Sequence, residues 1–405
     1  MSQAEQQAPT FLAPRRTFWQ QLVCRWADRI DRGRILVQFP CGGEHVAVGR
    51  EAGPSAAIRF NNARPFWRLL TGGSLGFSRA YLDGDWDSPD LGAVMELAIA
   101  NEPALRPVLA SSPLIGKLAY LRHRLRRNSR AGSRRNIAFH YDLGNAFYGA
   151  WLDETMTYSA AVFEHEAQPL PEAQLAKYDR ILKALRIGPE DHVLEIGCGW
   201  GGFMEYAVSR TGCRVTGLTL SAEQAQYARS RLAASGLSSR AEVRLQDYRD
   251  CEGRFTKVVS IEMFEAVGEE NWRLYFDRLR QLLAPGGQAM IQVITIDETR
   301  FEHYRRNADF IQTYIFPGGM LPSPTIFRER AVASGLAVSD SFSFGRDYEK
   351  TLLHWERAFV ENWTAIRPLG FDERFFRMWR YYLHYCAAGF RTGRIGVYQF
   401  RLERQ

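Results

Sequence analysis

The stretch VLEIGCGWGG, Val193 to Gly202, sets an apolar run directly against Gly197, Gly199, Gly201 and Gly202. Glycines this dense suit a chain that leaves a strand, turns tightly and enters a helix, because they reach left-handed conformations and let main chain approach a neighbour or a ligand closely. The flanking segments keep that register. Their periodicity predicts helices over 171–188, 202–210, 221–235 and 271–283, and strands over 192–197, 214–220, 241–246, 257–264 and 287–295. Elements of these lengths, alternating in this order, require a mostly parallel sheet with helices on both faces. The expected fold class is α/β, with a Rossmann-like sheet.

Upstream the pattern differs. Residues 34–40, 44–50 and 56–60 alternate as strands, and 66–101 reads as helix, glycine turn, helix, together a small α+β domain. Between the two patterns, LRHRLRRNSRAGSRR carries seven arginines and no acid from Leu121 to Arg135. Its Gly and Ser interrupt a helix, so it reads as a basic linker over 121–135, with a solvated helix face as the alternative. A chain of 405 residues, 46% apolar, buries enough surface for two or three domains, and a net charge of +7 suits an anionic partner. The six cysteines are scattered, with no CxxC and no ligand spacing to a histidine, which argues against a disulfide framework and a metal site and fits a reducing cytoplasm. The opening MSQAEQQAPTFLAPRR does not read as a signal peptide, and no apolar run is long enough to cross a bilayer.

Taken alone, Gly197-x-Gly199-x-x-Gly202 also fits a nicotinamide site. That site needs an acid about twenty residues after its first glycine, at the end of the second strand, to hold a ribose. Gly217-Leu218-Thr219 stands there instead. The other frame, Glu195-x-Gly197-x-Gly199-x-Gly201, fits S-adenosylmethionine: the Glu195 carboxylate ends its strand where it favours a cationic cofactor, and the glycines admit that cofactor closely. Thr219 closes the second strand, and Gln246-Asp247-Tyr248 closes the third with an amide, a carboxylate and a ring able to grip an adenine. A nucleic-acid methyltransferase would use the arginine segment as a phosphate track, but no catalytic motif for a base or ribose accompanies it, and no nucleic-acid partner is expected.

Six further stretches are more specific: HYDLGNAFYGAWLDETMTYS (His140 to Ser159), LEIGCGWGG, GLTLSAEQ (Gly217 to Gln224), MFEAVG (Met263 to Gly268), YIFPGGMLPS (Tyr314 to Ser323) and DYEKTLLHW (Asp347 to Trp355). In these motifs, and over nearly its full length, the chain resembles the cyclopropane-fatty-acyl-phospholipid synthases and the related mycolic acid methyltransferases. The resemblance implies Tyr158, Ser159 and Gln224 as cofactor contacts, and a methyltransferase domain with an acyl-chain pocket over 136–405. It also implies a first domain over 1–120 that handles lipid or assembly, a homodimer, and unsaturated phospholipid acyl chains as substrate; the arginines from Arg122 to Arg135 suit reversible adsorption to an anionic bilayer, met from the cytoplasm at the inner face of the membrane.

The methyl group of S-adenosylmethionine sits on a sulfonium and is electrophilic enough for an alkene held in line with it. The product of that attack is a carbocation, which each aromatic face stabilises by roughly 0.5–2 kcal/mol and which water would quench. Tyr304, Phe310, Tyr314, Phe316, Tyr348 and Trp355 offer such faces, although each suits a core better, Tyr348 excepted. In the synthases, the resemblance implies a bicarbonate held by a cysteine segment, a glutamate, a histidine and a tyrosine, which takes a proton from the new methyl so that the ring closes. Here the glutamate matches Glu265 and the tyrosine Tyr348, but Ala160 stands at the cysteine position and Gln292 at the histidine position. An amide donates hydrogen bonds but does not replace an imidazole in proton transfer. Bicarbonate is then bound differently or absent, Glu265 is the candidate base, and Tyr348 and Gln292 complete the catalytic set. These departures favour a methylated or methylene-branched product. A cyclopropane synthase and a non-catalytic lipid-binding protein are the alternatives.

Overall fold

The computed structural model describes residues 16–40, 42–109 and 143–404; the arginine segment, Cys41 and the first residues of the His140 motif lie outside them. The chain divides near residue 112 into two compact units.

The first unit runs α1 (Phe18–Ala27), β1 (Arg32–Gln38), β2 (Glu44–Val48), β3 (Glu51–Phe60), α2 (Arg64–Leu82), β4 (Trp86–Asp87), α3 (Leu91–Ala100) and α4 (Glu102–Leu109). Its sheet has the order β2-β1-β3-β4, with β1 antiparallel to β2 and parallel to β3. The glycine turn expected within 66–101 is a break inside α2 at Gly73, where φ 57° and ψ −144° exclude a residue with a Cβ. Trp19, Phe39, Phe60 and Phe66 pack edge-on and stacked as its aromatic core.

The second unit begins with α5 (Asn145–Gly149) and α6 (Leu170–Leu185), then alternates: β5 (His192–Ile196), α7 (Gly202–Thr211), β6 (Arg214–Thr219), α8 (Ala222–Ala234), β7 (Ala241–Leu245), β8 (Phe255–Ile261), α9 (Trp272–Leu282) and β9 (Leu283–Ile296). It ends with α10 (Glu298–Tyr304), α11 (Pro324–Ala333), β10 (Leu336–Ser343), α12 (Gly345–Glu361), α13 (Trp363–Ile366), α14 (Glu373–Arg391) and β11 (Ile395–Arg404). The seven strands lie in the order β10-β11-β9-β8-β5-β6-β7, parallel from β9 through β7, with β11 antiparallel to both its neighbours.

Two-residue periodicity explains why this sheet is covered on both faces. Leu194, Val258, Ala289 and Ile291 point into one cluster with Trp272 and Phe276 of α9 and Phe327 of α11. Val193, Val259 and Met290, one residue out of phase with them, join a second cluster with Ile181 of α6, Phe203 of α7 and Ala228 of α8. Each fully buried Leu, Val or Ile contributes about 1.5–3 kcal/mol of transfer free energy, so a one-residue slip of any central strand would be costly. The strand order reverses at β5, which has β6 on one side and β8 on the other. Ligand crevices in such sheets open there, beyond the carboxyl ends of the strands.

Two sequence expectations change. The alternation did not resolve β10 and β11, which complete the sheet through antiparallel pairing with β9. The strand expected over 257–264 stops at Ile261, and Glu262 turns out of the sheet with φ 52°, a left-handed conformation rare for a residue with a side chain. Among the described residues no helix is long and apolar enough to cross a membrane.

Candidate active site

The crevice at the reversal point is lined by Tyr158, Glu195, Gly197, Gln224, Asp247 and Glu262, among others. One wall is the glycine turn. The N–H groups of Gly197 and Cys198 both donate to the Leu218 carbonyl at 2.9 Å, which fastens the turn to β6. Gly197 has φ 85°, and a Cβ there would lie 2.9 Å from Met263 Cγ. Gly199 has φ 51°, but a Cβ there would meet no protein atom within 4 Å, as expected where main chain faces space for a ligand.

Glu195, the last but one residue of β5, has only 3% of its surface exposed, and its Oε2 is buried without a hydrogen-bond partner among the described residues. Burial pushes its pKa up to about 8, against the opposing field of Lys177. A cation entering the crevice would supply the missing partner. Gln224 sits at the start of α8, where Ser221 caps the helix by accepting from the Gln224 N–H. Thr219 Oγ1 donates to Gln224 Oε1 at 2.9 Å, so the amide has its N–H groups left to offer a hydroxyl. Asp247 is held by Arg249 through Oδ1 and Oδ2, and Gln246 donates to the Asp250 carbonyl. Both line the crevice, with the Asp247 carboxylate already engaged in an ion pair.

α5 and the segment after it pack against this turn. Trp200 Nε1 donates to Asn145 Oδ1 at 2.7 Å, and its ring packs 4.9 Å from Tyr148. Tyr158 shares a hydrogen bond with Tyr382 and packs against Trp151 and Trp355. Ser159 accepts from Lys177 Nζ at 2.6 Å. Lys177 is fully buried, held also by Gln174, and burial brings its pKa down to about 7. Sequence reasoning missed Lys177, which lay unmarked in the apolar stripe of α6.

The opposite wall holds a second constellation, centred on a residue the sequence analysis did not single out. Glu262 Oε1 accepts from the Ala160 N–H at 2.9 Å and from Gln292 Nε2 at 2.8 Å, while Oε2 accepts from the Tyr348 hydroxyl at 2.6 Å. Desolvation raises the Glu262 pKa, opposed by these three hydrogen bonds and by the field of Lys177. Tyr348 is itself raised well above its ordinary value by burial, so it remains a donor. The three positions expected around a bicarbonate and Glu265 therefore converge on Glu262. Glu265 receives none of these three donors: it is half-buried, its Oε1 accepts from the Ile294 N–H at 2.6 Å, and Oε2 has no hydrogen-bond partner among the described residues. Burial, then the nearby Glu262, push its pKa up to about 8, and it is not among the crevice-lining residues. The signal that could have found Glu262 is positional, since it is the first residue past the strand that flanks the reversal point.

The expected aromatic set separates. Tyr348 packs on Phe390 at 4.4 Å and edge-on to Trp355, next to Glu262. Phe310 is buried against Tyr381 and packs with the half-buried Tyr314.

Residues 128–400 match the family described as mycolic acid cyclopropane synthetase. The chain belongs to this family. It is 42% identical to the tuberculostearic acid methyltransferase of Mycobacterium tuberculosis over 354 residues, covering 84% of this chain and 81% of that protein. To the cyclopropane-fatty-acyl-phospholipid synthase of Escherichia coli K12 it is 35% identical over 356 residues, covering 86% and 88%. Among solved structures, a mycolic acid cyclopropane synthase complexed with SAH and CTAB superimposes with a TM-score of 0.63 at 35% identity, covering 67% of this chain and 98% of that one. The protein is an S-adenosylmethionine-dependent methyltransferase that modifies fatty acyl chains, on the α/β sheet expected of that class. The orphaned Glu195 oxygen, the open space at Gly199 and the oriented amide of Gln224 fit that cofactor.

Proposed function

We propose that the protein methylates a double bond in an unsaturated phospholipid acyl chain and that Glu262 is the base that completes the reaction. When bound, S-adenosylmethionine supplies an electrophilic methyl group. Addition of that methyl to an alkene forms one C–C bond as the methyl–sulfur bond breaks with its electron pair left on sulfur; the positive charge passes to the acyl chain as a carbocation, and the chain returns to neutrality only when a proton leaves. The observation that carries the reading is the Glu262 carboxylate, held by the Ala160 N–H, the Gln292 amide and the Tyr348 hydroxyl on the crevice wall. A carboxylate of the protein itself thus stands among the groups that, by family resemblance, would hold bicarbonate, and it removes the need for that ion. Ala160 and Gln292 then cease to be losses: each donates to the carboxylate. This also counts against a non-catalytic lipid-binding protein.

The Tyr348 and Trp355 rings beside Glu262 offer faces to the cation, and the low polarity that raises the Glu262 pKa also disfavours water. The kinship to a tuberculostearic acid methyltransferase supports a branched, non-cyclised product. The phospholipid substrate, reached from the cytoplasmic face of a membrane, is supported by the kinship to a cyclopropane-fatty-acyl-phospholipid synthase and by the net charge of +7. The test is expression in a host that supplies unsaturated phospholipids, with trideuteromethyl-labelled methionine and mass spectrometry of the acyl chains. A branched alkene formed by loss of a chain proton keeps three deuteriums, and a methylene branch keeps two together with an unsaturation seen on fragmentation. A saturated ring with two deuteriums would establish a cyclopropane synthase instead.

A further inference from the structure

Gln292 faces two partners, and only one of them is in the crevice. It lies on β9 directly opposite Gln399 of β11 and beside Ile261, the last residue of β8. Directly opposed residues of paired strands project to the same face, and here the amides meet: Gln399 Nε2 donates to Gln292 Oε1 at 3.0 Å. Gln292 Nε2 in turn donates to Glu262 Oε1, and more weakly to the Ala160 carbonyl at 3.4 Å. Gln292 is fully buried and Gln399 only 1% exposed.

Such a chain has a direction set by chemistry. An ionised carboxylate only accepts, so Gln292 must turn its NH2 group toward Glu262; its oxygen then faces Gln399, which must turn its own NH2 group inward. Reversal of either amide places oxygen against oxygen. The arrangement has a cost, because Gln399 Oε1 is buried with no hydrogen-bond partner among the described residues, and a polar atom left so loses its hydration without replacement. A packing role alone would be served better by an apolar side chain.

We propose that Gln399 is a positioning residue: it fixes the sense of the Gln292 amide and thereby holds Glu262 ionised. The proposal rests on the reading of Glu262 as the base. Gln399 touches neither Glu262 nor the crevice, so its effect belongs in proton removal and not in cofactor affinity. Gln399→Met removes the donor at similar volume. Gln399→Glu replaces it with an acceptor that draws the Gln292 NH2 group away from Glu262.

The measurement is the pH dependence of methyl transfer from S-adenosylmethionine to unsaturated phospholipid vesicles, with cofactor affinity by calorimetry as the control for folding. The activity that depends on ionised Glu262 should rise at higher pH in both variants, with a displacement of roughly one pH unit for Met and more for Glu, while cofactor affinity stays within about twofold of wild type. Gln399→His, which restores an N–H donor, should recover part of the displacement. Unchanged pH profiles in both variants overturn the proposal. Joint loss of cofactor binding and activity in both overturns it too, because it makes Gln399 a packing residue. Glu262→Gln separates this from failure of the underlying reading: if that variant turns over normally, Glu262 is not the base, and if it is inactive while the Gln399 profiles are unmoved, only the positioning role falls.

Discussion

The two walls of the crevice are built in different ways. The cofactor wall comes from neighbouring stretches of chain: a glycine turn at 197–202, a capped helix start at Gln224 and the turn at Asp247 just past β7, each shaped by its own local sequence. The base wall is Glu262, held from behind by Ala160, Gln292 and Tyr348, with Gln399 one step further back; the five lie on separate segments, and β8, β9 and β11 must be adjacent for Glu262, Gln292 and Gln399 to line up. A local motif tolerates change elsewhere in the fold, whereas an assembled one depends on register. The cofactor wall should therefore govern affinity, and the base wall turnover.

The largest expected effect separates the two walls outright. Glu262→Gln should lower the turnover of methyl transfer by about 10²–10⁴-fold, the range for a lost general base, with cofactor affinity changed less than about threefold. Glu265→Gln sharpens the contrast. Because burial holds its pKa up at about 8, Glu265 is largely protonated at neutral pH and an amide resembles that form, so its loss should be at least tenfold smaller than that of Glu262→Gln. Steady-state rates and calorimetry on the two variants check both statements; equal losses would return Glu265 to the catalytic role that the motif suggested.

On the cofactor wall, Gly197→Val should weaken cofactor binding by about a hundredfold or more and lower the thermal midpoint. Two causes add: φ 85° strains any residue with a Cβ, and that atom would press on Met263. Gly199→Ala discriminates between fold and ligand, since its Cβ meets no protein atom. It should bind cofactor poorly while losing only about 1 kcal/mol of stability, the strain of φ 51°.

A smaller effect follows from Glu195. Its folded pKa of about 8 lies above the ordinary 4.5, so the proton is held more tightly in the folded apo protein. The stability gained that way is complete below pH 4.5 and is lost as pH rises through 8. A cationic ligand needs the ionised form, so cofactor affinity should climb by up to about tenfold per unit between about pH 6 and 8 and then level off. Calorimetry in buffers of different ionisation heat should show proton release on binding, and Glu195→Gln should abolish the slope. The smallest expected effect is that of Thr219→Val, which frees the Gln224 amide to rotate and should cost about fivefold in affinity, the worth of one ordinary hydrogen bond, with turnover at saturation unchanged.

The sequence by itself determined the sheet from β5 to β9, the glycine turn and the cofactor assigned to it, because hydrophobic period, strand-to-helix turns and helix caps are written in adjacent residues. Through its motifs it also marked Tyr348, Gln292 and Ala160 as belonging to one site. It could not say which carboxylate they serve. Glu262 reads as one more position of the strand in SIEMF, and nothing local announces that the chain leaves the sheet there in a left-handed turn. Gln399 was equally silent, because β11 pairs with β9 across more than a hundred residues of chain. Only the tertiary structure decided that Glu262, not Glu265, receives the three donors. A buried carboxylate is placed by the hydrogen bonds that compensate its desolvation, and those donors are brought together by strand order and register, which no short stretch of sequence contains.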